Sequence, residues 1–231
     1  MAVMDTFSRH NASLTLGIIG AHFGEDDALV KYINNSLLTN SVDFHFNIAN
    51  HGWEHEDFSK YNATVQSSLI KKTNEKLSSI LGATPSVFVP PYNLVNRDTF
   101  SSLVENKIQF VSANLTTDPL AIYSEKSYKD NASSLLYHFP STGSTGDLST
   151  NNDYWVGREH QEILADIEES LENYGFAVVT MHPMEYSQRE ALHYSDSVDL
   201  RQVSELKKLI NDIKELGLKI VTIPEIKSYM N

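Results

Sequence analysis

Residues 44–55 read FHFNIANHGWEH, an apolar run that empties into two histidines, His51 and His55. Aromatic and branched residues bounded by turn formers predict a buried strand over 44–49, with the polar residues at its C-terminal exit. Upstream, helically spaced apolar residues over 1–7 lead into a second buried strand over 12–20, and a helix is expected over 25–38. Downstream, 64–81 reads as a long amphipathic helix stopped by Gly82 and Pro85, and 87–89 as a short strand cut off by Pro90 and Pro91. A helix over 96–105, extended segments at 110–113 and 135–139, a helix over 159–173, a strand over 176–181 and a helix-strand pair over 203–223 complete the pattern, while 114–134 shows no clear period.

Strands separated by helices of about ten or more residues indicate βαβ units and a largely parallel sheet, either open or closed into a barrel. Both arrangements gather polar, loop-borne residues where the strands end. With no linker, low-complexity stretch or short repeat, residues 1–231 read as one domain.

Composition narrows the function. Lys and Arg total 18 against 30 Asp and Glu, a net charge of −12. The densest basic pairs, Lys71-Lys72 and Lys207-Lys208, lie in helix-like patterns interleaved with acids, so nucleic acid is not an expected partner. The absence of cysteine excludes disulfides and sulfur-ligated metal, so any metal must use histidines and carboxylates. No apolar run approaches the roughly 18 to 20 residues of a membrane span. Asn-x-Ser/Thr sequons at Asn11, Asn34, Asn62, Asn114 and Asn131 are easily produced by chance in a chain rich in these residues.

Three features follow strand ends. If a helical turn begins at His51, then His51 and His55 share a face and can bind one metal ion through neutral imidazoles. Pro90-Pro91-Tyr92 stiffens a second exit and can aim a backbone N–H at a developing oxyanion. His182, after the apolar run Val178-Val179-Thr180-Met181, can serve as a general acid, because an imidazole has both protonation states accessible near neutrality. Taken singly, each feature reads more readily as structure: surface or core histidines, a rigid connector, a hydrogen-bonded histidine.

Taken together and in order, the three resemble the polysaccharide deacetylases, also called carbohydrate esterase family 4 or the NodB-homology domain. The resemblance implies a distorted (β/α)7 barrel that removes acetyl groups from N-acetylated sugars with one divalent metal, zinc being expected. Carried over residue by residue, the motif H-(S/T)-x-x-H falls on His51 and His55, with Gly52 at the Ser/Thr position, and makes both metal ligands. The R-x-P-Y stretch falls on Val89-Pro90-Pro91-Tyr92, with Val89 replacing the arginine. It assigns Pro91 and Tyr92 to substrate binding, with the Tyr92 N–H on the oxyanion. The leucine-histidine motif falls on Met181-His182 and makes His182 the acid that protonates the leaving amine, and Trp155, near Asp153, stands for the tryptophan of the acetyl pocket.

The family's first strand, whose Asp-Asp pair supplies a base and a third metal ligand, has no counterpart. The chain starts in what resembles the next helix, so Asp5 is not equivalent and Asp26-Asp27 lies elsewhere. A fragment, a misplaced start codon and real degeneration would all produce this. Asp57 and Glu185 lie near the motifs but read as solvated surface carboxylates. The chain as given is therefore expected to bind metal weakly and turn over slowly. The competing expectation is a non-catalytic glycan-binding domain using Trp53, Tyr92 and Trp155; a purely structural role for the histidines ranks last. Family resemblance implies action outside the cell or at its surface, and the net charge of −12 fits neutral or amine-bearing glycans better than anionic ones.

Overall fold

The computed structural model describes residues 1–39, 44–113, 136–150 and 154–229. The aperiodic stretch 114–134, Leu135 and Asp153 therefore lie outside the described residues. Helix α1 (Ala2–Arg9) buries Met4 and Phe7 and leads to strand β1 (Leu14–Ile18). Helix α2 (Asp27–Leu38) follows, capped by Asp26, whose carboxylate accepts the Ala28 and Leu29 N–H groups. Strand β2 (Phe46–Asn50) precedes helix α3 (Ala63–Leu81), which ends at Gly82 in the left-handed conformation. Next come β3 (Val87–Phe88), α4 (Arg97–Glu105) behind an Asn96/Thr99 capping box, β4 (Phe110–Val111) and β5 (Tyr137–His138).

Strands β1 to β5 form a parallel sheet in chain order. Beyond it β6 (Gly143–Ser144) pairs in parallel with β9 (Val179–Thr180), the two being separated by an antiparallel pair, β7 (Gly146–Leu148) with β8 (Trp155–Gly157), and by α5 (His160–Tyr174). An antiparallel hairpin, β10 (Ser187–Glu190) with β11 (His193–Val198), then leads to α6 (Leu200–Glu215) and α7 (Ile223–Tyr229). The Ser141 N–H donates to the Ala113 carbonyl, extending the β4–β5 ladder, and the next residue, Thr142, donates to the Val178 carbonyl, so the chain passes directly from the five-stranded sheet to the β6–β9 pair of the expected distorted α/β barrel.

Alternation along the strands divides the core. Ala49, Val87, Phe110 and Phe139 cluster with Ile223 and Ile226 of α7, whereas Phe88 and Val111 pack with Phe58, Ile70 and Leu103 against α3 and α4. A third cluster joins Phe7, Ile18, Phe46 and Leu77 to Leu206 and Ile210 of α6.

Two features depart from expectation. The segment expected as a last strand, 218–222, joins no ladder. A single backbone hydrogen bond among the described residues, Ser13 N–H to the Ile220 carbonyl at 3.3 Å, links it to β1. An apolar cavity of about 530 Å³ opens beside this seam, lined by Leu14, Val179, Leu206, Ile210 and Ile220. One bond does not make a ladder, so the segment lies beside β1 without becoming a strand of the sheet. The two antiparallel pairs were also not expected, since their sequences lack an apolar alternation; β10 and β11 are mostly solvent-exposed on both faces.

Candidate active site

The site begins with Asn50, the last residue of β2, which is fully buried. Its amide donates to the Ile70 carbonyl (3.0 Å) and to Asn74 Oδ1 (2.8 Å), while its own Oδ1 accepts the Gly52 N–H at 2.9 Å. This side chain fastens the strand exit to α3. His51 is anchored from two sides: its N–H donates to the Ile18 carbonyl (3.0 Å), and its Nδ1 donates to the Val89 carbonyl at 2.6 Å. A carbonyl can only accept, so the proton sits on Nδ1 and Nε2 keeps its lone pair.

The helical turn expected at His51 does not form. Gly52 at φ +78° and His55 at φ +65° give an irregular turn. It still brings the imidazoles together, with ring centroids 4.9 Å apart at 70°. Gly52 is required here, because a Cβ would stand 2.7 Å from Glu56 Oε2 and 3.2 Å from Pro91 Cγ. Glu56 is held there by accepting the Trp53 N–H at 2.9 Å.

Tyr92 lies at φ +58° on the turn after β3, its ring 4.5 Å from that of His55 and largely exposed, while Pro91 is buried. The Tyr92 N–H has no hydrogen-bond acceptor among the described residues. Val89, at the position where the resemblance expects an arginine, supplies through its backbone carbonyl the acceptor that orients His51.

His182 follows β9. Its ring stacks on Trp155 at 3.9 Å and 25°, and its Nδ1 lies 3.0 Å from Glu185 Oε1. The expectation that Glu185 is a solvated surface carboxylate is wrong, since its side chain is only 1% exposed. The H-x-x-E spacing of a capping box could have revealed this: Glu185 also accepts the His182 N–H at 3.0 Å.

The histidines share one electrostatic environment. Burial foremost holds His51 below its usual range, with the charges of His55 and His182 acting in the same direction and the Val89 hydrogen bond opposing. Burial and then His182 lower His55. Both are thus neutral nitrogen donors near neutrality, the state that binds metal.

Two imidazole donors fit a divalent ion, but no group of three His or carboxylate side chains that could hold one occurs among the described residues. The aspartates weighed from the sequence are engaged in local structure. Asp57 accepts from the Ser59 N–H and pairs with Lys60, Asp26 caps α2, and Asp5 accepts from the Tyr32 hydroxyl. Trp53 lies under the Lys72 ammonium, 3.6 Å from the ring centre.

Residues 1–111 match the family model for polysaccharide deacetylase. The chain is 25% identical over 179 residues to a bifunctional xylanase/deacetylase from Pseudobutyrivibrio xylanivorans, covering 78% of this chain and 27% of that protein. It is 26% identical over 95 residues to a peptidoglycan-N-acetylglucosamine deacetylase from Listeria monocytogenes, covering 41% of this chain and 19% of the relative. The chain thus spans about a quarter or less of the length of these curated relatives. Among solved structures, a CE4 family pseudoenzyme from Bacillus anthracis shares the fold with a TM-score of 0.61 at 14% identity, over 97% of this chain and 58% of that one. A family 4 acetyl xylan esterase from Clostridium thermocellum, solved with a cobalt ion, gives 0.60 at 14% identity, over 99% and 83%.

Proposed function

From the match of residues 1–111 to the polysaccharide deacetylase family model we propose that the chain removes acetyl groups from N-acetylated sugars of a polysaccharide or cell-surface glycan. The observation that carries this reading is the gathering of histidines from two parts of the chain: His51 and His55, their rings 4.9 Å apart after β2, and His182 after β9, whose charge acts to lower both. His51 and His55 would hold a divalent metal, zinc by their nitrogen chemistry, and such an ion supplies carbonyl polarisation and a more acidic bound water. The unengaged Tyr92 N–H is a donor for the oxyanion that develops on the acetyl carbonyl. His182 passes a proton to the sugar nitrogen as the C–N bond breaks, so that an amine leaves. Trp155 holds the His182 ring by its face and offers an apolar wall for the acetyl methyl.

One observation favours a second reading, a non-catalytic glycan-binding domain: among the described residues the two imidazoles are joined by no third ligand, whereas catalytic zinc commonly has three. Acetate release from N-acetylglucosamine oligomers, measured with added zinc and with chelator, separates the two. Zinc-dependent release that falls by about 10² or more in His182→Ala supports the hydrolase. Glycan binding that survives both chelation and His51→Ala, with no acetate released, supports the binding domain.

A further inference from the structure

Glu185 is a buried acid with no part in the chemistry above. We infer that it is the positioning residue of His182: it fixes the imidazole as the Nδ1–H tautomer and so makes Nε2 the nitrogen offered to substrate. The inference deepens the proposed hydrolytic role of His182 and, for its effect on turnover, rests on it.

The geometry is that of a built site. The short turn Pro183–Tyr186 folds the Glu185 side chain back beneath His182. Oε1 then lies 3.0 Å from both the backbone N and the ring Nδ1 of His182. The other oxygen, Oε2, accepts the Thr145 hydroxyl at 2.5 Å. The strand beside it comes so close that a Cβ at Gly146 would stand 2.7 Å from Glu185 Cδ, so only glycine fits at that position. Burying a carboxylate is costly unless its oxygens are hydrogen-bonded, and Glu185 is supplied with donors on both.

The consequence for the ring follows from donor and acceptor roles. A carboxylate only accepts, so Nδ1 carries the proton. Trp155 stacked at 3.9 Å fixes the plane of the same ring, which leaves rotation and tautomer both determined. In turnover, the proton on Nε2 of the cationic ring moves to the leaving nitrogen, which also takes the electron pair of the breaking C–N bond. The ring then returns to the neutral Nδ1–H form that Glu185 already holds, so no tautomer exchange separates one cycle from the next.

The test is nitrogen NMR of 15N-histidine-labelled protein, about two pH units above the ordinary imidazole value of about 6.5, where a histidine is neutral and its tautomer can be read. The expected result is a His182 signal of the Nδ1–H form in the wild type, retained in Glu185→Gln, whose amide oxygen can still accept, and lost in Glu185→Met. If the chain releases acetate, Glu185→Met should lower kcat by about 10² with KM unchanged, and Glu185→Gln by less. A wild-type ring with its proton on Nε2, or a tautomer unchanged in a folded Glu185→Met, overturns the inference. Should Glu185→Met fail to fold, the wild-type spectrum alone decides. Absence of acetate release would count against the hydrolase reading without touching the tautomer result.

Discussion

Gly52 permits a controlled perturbation of the turn that joins the two metal-ligand candidates. At φ +78° an alanine incurs the left-handed penalty of an L-residue, about 1–2 kcal/mol. Its Cβ would also displace Glu56 Oε2 from 2.7 Å, breaking the bond to the Trp53 N–H, which adds about 1 kcal/mol. The ring atoms of Pro91 at 3.2 Å and Phe58 at 3.3 Å leave little room for relaxation. The sum is about 2–3 kcal/mol, or a fall in Tm of about 4–12 °C for a chain of this length. Gly82 is the internal control: it has φ +66° and open space within 4 Å of where a methyl would sit, so Gly82→Ala should show the backbone penalty alone, about 2–8 °C. Thermal melts of the two variants beside the wild type make the comparison. Equal losses, or a neutral Gly52→Ala, would refute the close packing described around the turn.

Asn50→Ala removes three buried hydrogen bonds and strands their partners, and should cost roughly 2–4 kcal/mol in urea titrations. His51 and His55 both titrate below their usual range in the folded chain, so the unfolded chain takes up protons first as the pH falls. Stability should therefore be full above the ordinary imidazole value of about 6.5 and decline as the pH drops through the lowered folded values. His51→Gln should flatten that decline in a series of melts across pH. Phe58→Ala empties a fully buried site between α3 and α4 and should cost about 3–5 kcal/mol, read in the same urea titrations.

Much of this was legible in residue patterns. The run ending at Ala49 and the run ending at Met181 placed His51, His55 and His182 at strand exits, because a mostly apolar run marks a strand and the first polar residues after it mark its end. What the pattern did not show was local backbone. Spacing alone suggested a helical turn between His51 and His55, yet positive φ at Gly52 and His55 brings the rings together by another route. Glu185 reads from the sequence as solvated because an acidic side chain is rarely buried; its burial depends on Thr145 and Gly146, some forty residues earlier, a contact that no local periodicity encodes. Segment 218–222 carried a convincing strand pattern, but propensity forms no ladder without a partner at hydrogen-bonding distance.

Zinc titration of the purified chain beside His51→Ala and His55→Ala tests the account most directly. The account predicts one equivalent bound, more tightly as the pH rises past the imidazole range, more weakly than at a site with three protein ligands, and lost in both variants. Zinc that does not bind, or that binds both variants as it binds the wild type, would contradict the claim that these two histidines form a metal pair.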